Sequence, residues 1–393
     1  MTEPDRPDAP EPAPTHEIWR SLLPEAVLAG RGVPWLAASA LDHLGDPDGE
    51  RVALLAGGPV LLPRLAHGHL RLTGADRVPF VHGLVSHDVA ALAEGAAVDA
   101  LLLDHRGQPQ AGLAVHRRRD DLFLAVHDGA GPVVARTLSE HVIFDQVTIE
   151  ELDARLASLT LCAADGGAAA GVLEACWPGA GAALMASLAA TAARTTAAPV
   201  AAVSTPHGRA LLHPRRLGPA WAVDVHLLSE DLALAWARWM EVGVGPIGER
   251  AWTAGRVARG VASAHAEGRL GLPQETGLED RISYRKGCYL GQEIMARVEA
   301  RGRLRRGLRA VRLAGPPPGL GAAPGWRLED AVGRAVGVLG SAAPAPDGDG
   351  WWGLAIVRED AEAAVPWRLV VDGEPPRVGP TEVGVSLRPT AAG

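Results

Sequence analysis

The spacing of apolar residues changes period several times along the chain, and each change marks an element. The alternation Leu70-Arg71-Leu72 running into Thr73-Gly74 predicts a strand that enters a turn. Val78, Val81 and Leu84 beyond Asp76 predict a helix that turns those three side chains inward. A continuous apolar run over 100–103 meets the polar turn Asp104-His105-Arg106-Gly107, and the runs 112–115 and 122–126 flank a charged turn over 117–121, the pattern of a hairpin. Further on, strands over 156–162, 199–204 and 221–228 alternate with helices around 171–177 and over 230–242, an order that predicts a ferredoxin-like α+β unit. The alanine-rich stretch 182–198 is competent to be helical. Beyond 308, apolar runs over 308–313, 335–339, 351–357 and 367–371 alternate with Pro/Gly turns and predict a small antiparallel barrel, with loops over 314–325 and 341–350. At the other end, residues 1–15 are Pro-rich and acidic and read as a tail, and 17–29 reads as a short helix interrupted by Pro24.

Composition narrows the class. A chain of 393 residues exceeds what one hydrophobic core serves, so two or three domains are expected. The net charge of −8 has the wrong sign for a general phosphate-backbone binder, so no direct nucleic-acid partner is expected. Three cysteines, far apart and odd in number, make no disulfide framework and point to a reducing compartment. The opening residues carry no basic segment followed by an apolar one, and no stretch of 18 or more apolar residues reads as a membrane span, so the expected location is cytoplasmic.

The chemistry concentrates in residues 286–293, Lys-Gly-Cys-Tyr-Leu-Gly-Gln-Glu. Gly287 frees the backbone before Cys288, Arg285 and Lys286 stand just upstream, and 294–299 reads as an amphipathic helix. A helix N-terminus and neighbouring cations favour thiolate over thiol, the form that acts as nucleophile or metal ligand. Cys162 and Cys176 lie in apolar surroundings and read as packing residues. Three dispersed thiols hold no stable cluster, which normally needs four, so any metal contact of Cys288 is transient or shared. His67 and His69 would share a strand face, but no third ligand is placed by spacing and both read as ordinary strand positions. Arginines at 297, 301, 303, 305, 306 and 309 stand against the single acid Glu299. Such a run suits an anionic tail or a phosphate, although charge runs are mostly solvated faces.

The octapeptide resembles the signature of the YgfZ family, folate-binding relatives of the glycine cleavage T-protein that assist iron–sulfur proteins. Residues 72–76, 252–260 and 272–275 fit the same pattern in order, and the likeness runs from about residue 60 to about 310. It implies a T-protein-like α+β cloverleaf of several domains around a central folate pocket, followed by the barrel. The implied layout is a tail and short helix over 1–44, an N-terminal α+β half-domain over 45–155 completed by 246–307, the ferredoxin-like domain over 156–245, and the barrel over 308–393. It also implies tetrahydrofolate or a derivative as ligand, with Trp252 facing the pterin and His67 standing where the family has a second tryptophan. Cys288 and Lys286 are then the catalytic pair, supported by Gly287, Tyr289, Gly291, Gln292 and Glu293. The implied function is an accessory protein for assembly or repair of iron–sulfur enzymes, those modifying tRNA included, with transient client partners; the sequence leaves open whether it catalyses a reaction of its own.

Two alternatives stand beside that function. A one-carbon transferase like the T-protein wants a carboxylate at the folate nitrogen. The acid that follows the T-protein's turn has no counterpart in 108–112, and its Gly-Tyr-Thr-Gly-Glu segment has none around 217–221. A cysteine hydrolase wants a histidine beside Cys288, and the nearest in sequence is His265.

Overall fold

The computed structural model describes residues 41–192, 198–317, 326–364, 367–370 and 384–387, together with Trp19, Leu22 and Leu23. Asp46 caps the first described helix, α1 (Pro47–Leu55), by accepting from the Gly49 amide at 2.9 Å, and Pro47 supplies the fixed φ of a first turn. Two short strands follow, β1 (Val60–Pro63) and β2 (Gly68–Thr73). The turn after β2 requires glycine: Gly74 has φ +105°, and a Cβ there would lie 1.9 Å from the Gln146 carbonyl oxygen. Beyond it α2 (Arg77–Leu84) buries Phe80, Val81 and Leu84, with Val78 half-buried. The strands β3 (Ala96–Leu103), β4 (Pro109–Arg117) and β5 (Leu122–Val126) then form a meander, followed by α3 (Gly131–His141) and β6 (Thr148–Glu151).

The middle of the chain gives β7 (Leu156–Ala163), α4 (Gly166–Cys176), α5 (Ala180–Ala192), β8 (Ala198–Pro199), β9 (Ala201–Thr205), β10 (Gly208–Leu217), β11 (Ala220–Leu228) and α6 (Ser229–Glu241). The chain returns through β12 (Gly245–Pro246) and α7 (Glu249–Arg259) to α8 (Gln292–Arg301). It ends in β13 (Arg306–Leu313), β14 (Trp326–Glu329), β15 (Ala335–Pro344), β16 (Trp351–Arg358), β17 (Trp367–Val370) and β18 (Gly384–Leu387), which close a six-stranded antiparallel barrel.

Two six-stranded sheets make up the body, in the orders β6-β2-β5-β4-β3-β8 and β12-β1-β7-β11-β10-β9. Within the second, β12, β7, β11 and β10 have the order of a ferredoxin-like unit. Two things differ from the expected layout. The strand β1, placed by sequence in the first half-domain, is inserted between β12 and β7 with Val60 opposite Cys162. All four of its residues are buried, so it needs cover on both faces, and a central position supplies that. In addition β10, where His213-Pro214-Arg215-Arg216 breaks the alternation, is a central strand between β11 and β9.

The sheets face each other through a layer of aromatic rings. His69 and His116 of one sheet meet His213 and His226 of the other, with centroids of 5.1 Å for His116–His213 and 5.5 Å for His116–His226. The barrel packs Ala343 and Leu354 against Ala254 and Val257 of α7. Of the expected N-terminal helix, Trp19 is buried edge-on against Trp236 of α6, 5.9 Å between centroids. The expected tail over 1–15 lies outside the described residues.

Candidate functional site

A cavity of about 330 Å³ opens where the two sheets meet α7. The turn between β1 and β2 contributes Arg64 and His67, β3 contributes Asp99, the end of β5 His127 and Asp128, β10 Arg215, α7 Trp252 and Arg256, and the stretch before the octapeptide Asp280 and Arg281. Burying this many charges requires pairing. Arg64 donates through Nε to Thr160 Oγ1 at 2.8 Å and through Nη1 to Glu249 Oε1 at 3.2 Å. Thr160 Oγ1 donates to Asp224 Oδ1 at 2.6 Å, and Arg215 reaches both Asp224 oxygens at 2.7 and 3.1 Å. Arg256 donates to Glu267 at 3.1 Å and to Ser341 of the barrel at 2.9 Å, so all three parts of the chain meet at the cavity.

These pairings set the charge state. Burial alone would raise the Asp224 carboxyl, but Arg215 and Arg64 outweigh it and hold the group well below the carboxylate range. Burial, with Arg215 adding to it, brings His127 down to about 4, and burial beside His127 lowers His67 strongly, so both rings are neutral. Asp128 is the only non-glycine residue with positive φ among the described residues, at 54°, a conformation that costs energy and is held by its surroundings. Its Oδ2 accepts from Ser263 Oγ at 3.3 Å.

A flat, hydrogen-bonding heterocycle fits this wall. Val261, Ala262, Ala264 and Leu278 give it apolar area, while His67 Nδ1 and Asp99 Oδ1 are buried polar atoms with no partner in the protein. Trp252 lines the cavity as expected, yet its ring already has the Arg64 and Arg215 guanidinium carbons 4.4 and 5.4 Å from its centroid. His67 lies in the turn ahead of β2 and pairs with His127 at 5.0 Å, whereas His69 hydrogen-bonds Ser158 at 2.7 Å. The expectation that the two share a strand face is therefore corrected: the turn ends one residue short of β2, and the rings go to different clusters. Among the described residues no group of three or more His, Cys, Asp or Glu is arranged to hold a metal.

The octapeptide is anchored by its lysine. Lys286 turns inward, and its Nζ donates to the carbonyls of His82, of Val85 at 2.7 Å and of His87 at 3.3 Å, at the C-terminal end of α2. It also lies 4.7 Å from the centroid of Tyr289, itself buried among Leu101, Leu278 and Ile282. Burial brings this ammonium down to about 8, while its three N–H donors have three acceptors. Lys286 thus differs from the free flanking cation read from the sequence, because the carbonyls that hold it come from a segment some 200 residues earlier. Gly291, with φ +82°, caps α8, and a Cβ on it would lie 2.5 Å from the Asp104 carbonyl oxygen, so the motif sits flush on the β3–β4 turn. Gln292 opens α8 and Glu293 stands in its first turn, favourable to the helix dipole.

Cys288 and Gly287 are exposed on the outer side of this anchored loop. The thiol does not line the cavity; the segment that carries it does, at Gly277, Leu278, Asp280 and Arg281. Cys162 and Cys176 are buried, and burial pushes both thiols up to about 12. His265 lines a second space of about 20 Å³ with Asp128 and Glu249, of which Cys288 is no part. The arrangement Asp153–His69–Ser158, at 3.1 and 2.7 Å, has the order of a hydrolytic triad. Ser158 is buried and also held by His226 at 2.7 Å, so this is an interface contact and not a nucleophile.

The arginine run after the octapeptide finds acids from elsewhere. Arg303 pairs with Glu359, Arg306 with Glu275 at 2.7 Å, and Arg312 with Asp349. The sequence missed Arg64, Asp99, Asp128, Arg215 and Arg281, although Asp99 interrupts an apolar strand and Asp128-Gly129 marks a tight turn.

No family model matches the chain. Among solved structures, the glycine cleavage system aminomethyltransferase T from Bartonella henselae superposes with a TM-score of 0.71 at 17% identity, covering 95% of each chain. The fold is that of the glycine cleavage T-protein. The iron–sulfur cluster assembly factor IBA57, mitochondrial, of Mus musculus is 37% identical over 94 residues, 23% of this chain and 25% of that protein. Its Homo sapiens counterpart is 40% identical over 70 residues, 17% of this chain and 20% of that one. The chain thus matches a quarter or less of the length of these two relatives. A putative chloroplastic transferase of Arabidopsis thaliana is 23% identical over 328 residues, 80% of this chain and 69% of that protein. A T-protein-like fold with likeness to iron–sulfur assembly factors is consistent with the YgfZ resemblance. Among the described residues no helix is long and apolar enough to cross a membrane.

Proposed function

We propose that the chain is a tetrahydrofolate-binding accessory protein, acting in the cytoplasm, that helps assemble or repair iron–sulfur enzymes, those that modify tRNA included. One observation carries this reading: a single exposed thiol, Cys288, stands on a loop whose other end lines a cavity suited to a heterocycle. Arg64, His67, Asp99 and Trp252 would hold the folate, which supplies a one-carbon carrier or redox-active ring. Cys288 offers a sulfur lone pair to an iron of a client's cluster, and because one thiolate is a quarter of a usual set, the contact is brief. Lys286 positions this loop from beneath and touches neither partner. The test is complementation of a deletion strain with assays of iron–sulfur enzymes. Cys288→Ser should fail to restore them, and full restoration would remove the mechanism.

A second reading, a folate-dependent one-carbon transferase, is favoured by the carboxylates of Asp99, Asp128 and Asp280 in the cavity wall. The acid absent from 108–112 is thus no argument against transfer, because other segments bring carboxylates to the same space. Folate-dependent formation of a methylated or aminomethylated acceptor by the purified chain would establish it.

A further inference from the structure

The bases of the cavity wall are largely committed: Arg64 to Glu249, Arg215 to Asp224, Arg256 to Glu267. Asp99 is not. It stands in the middle of β3 opposite Ala114, and its Oδ1 is buried without a donor. Burial alone would raise this carboxyl, but His213, Arg281, His127 and Arg215 reverse the effect and keep it below the usual range, hence ionised. An ionised carboxylate only accepts hydrogen bonds, and a buried one short of a donor is costly. On the neighbouring strand a Cβ at Gly112 would meet Arg281 Nη1 at 3.0 Å and Ala264 at 2.9 Å, so the guanidinium occupies the space a β4 side chain would fill. Asp99 therefore brings to the cavity wall a carboxylate one of whose oxygens no donor in the protein satisfies, with the Arg281 guanidinium nearby, and a ligand bearing adjacent N–H donors would complement it.

We propose that Asp99 is the specificity-determining acceptor of this cavity, taking the N–H donors of a bound pterin's 2-amino-4-oxopyrimidine edge. The inference rests on the folate reading and deepens it. A pterin presents its ring N–H and amino group side by side, next to a carbonyl oxygen that the Arg281 guanidinium complements. Oxygen-rich anions such as phosphates or dicarboxylates have no donor for Asp99 and are disfavoured by its charge.

Titration of the purified chain with tetrahydrofolate, followed by Trp fluorescence, tests this in two arms. Asp99→Asn replaces an acceptor with an isosteric group that can also donate, and should weaken binding about 10- to 100-fold without lowering the thermal midpoint. The analogue lacking the 2-amino group keeps only the ring N–H for Asp99, so it should bind the wild type more weakly and lose less on Asp99→Asn than the parent does, since the two changes weaken the same contact. If the wild type binds tetrahydrofolate while Asp99→Asn binds equally, or if the analogue matches the parent, the assignment of Asp99 is overturned and the folate reading stands. The analogue arm needs no variant, so it decides even if Asp99→Asn does not fold. If the wild type shows no saturable binding, the folate reading falls and the assignment with it.

Discussion

Acid should dismantle this protein between pH 7 and pH 5, above the range where ordinary carboxylates titrate. Burial, as the leading cause, lowers four histidines: His67 and His116 strongly, His127 to about 4 and His226 to about 3. Two of them face the cavity and two lie in the ring layer between the sheets. In the unfolded chain each titrates near 6.5, so below that pH the unfolded state binds protons the folded state refuses, and stability falls as pH falls. At pH 5 the penalty is about 1.5 pKa units, or about 2 kcal/mol per histidine, and on the order of 8 kcal/mol for four. Glu249 opposes this: burial raises it to about 7, so the folded state takes up a proton as pH drops, returning about 2 kcal/mol over the same interval. The net loss, on the order of 6 kcal/mol, approaches the whole stability of an ordinary domain. Urea unfolding followed by Trp fluorescence should give a slope near pH 5 of about three protons taken up on unfolding. His116→Phe, which keeps a ring in the layer, should lower that number by about one. Stability constant to within about 1 kcal/mol from pH 7 to 5 would refute the neutral buried layer.

The remaining predictions concern the octapeptide and the other cysteines. Lys286→Met leaves three carbonyls at the end of α2 without their donor and should cost about 3 kcal/mol in thermal unfolding, with faster hydrogen exchange around 82–87. Gly291→Ala combines a left-handed φ with a contact of 2.5 Å to the Asp104 oxygen, so a loss of about 2 kcal/mol or more is expected; a loss near zero would mean the turn moves aside freely. Cys288→Ser should change stability by less than about 1 kcal/mol, whereas Cys176→Ser, which puts a hydroxyl into packed apolar surroundings, should cost about 1 to 3 kcal/mol. Alkylation should reach Cys288 long before either buried thiol, and equal rates for all three would contradict their burial.

Where one face of an element is plainly apolar, the sequence was enough to find it. The helix α2, the β4–β5 hairpin and the runs that became β13, β15, β16 and β17 all keep their period because their neighbours are ordinary core residues. The strand β10 was not legible, because His213 turns into the ring layer and Arg215 into the cavity, where its partner Asp224 comes from another strand. Within the arginine run, Arg303 and Arg306 pair with Glu359 and Glu275, acids remote in sequence that the run by itself could not show. Lys286 was legible as part of a motif but not as a buried clamp, since only the fold brings the end of α2 over it.

These failures are informative about where ligands bind. A polar residue inside an apolar pattern survives selection for folding only if something compensates its burial, and in most of the body the compensation is a partner within the chain. Arg215 in β10 and Arg64 after β1 are of that kind, each tied to a buried acid. Asp99 in β3 and His67 before β2 break the pattern equally, yet each keeps a buried atom without a partner, and both residues line one cavity. For these two a ligand in the cavity would supply the missing compensation. A ligand that satisfies them should therefore stabilise the fold as well as occupy it, raising the thermal midpoint with concentration as binding to the folded state alone requires. Tetrahydrofolate that quenched Trp fluorescence without shifting the midpoint would not be bound selectively to the folded state, and occupation of this cavity would be refuted.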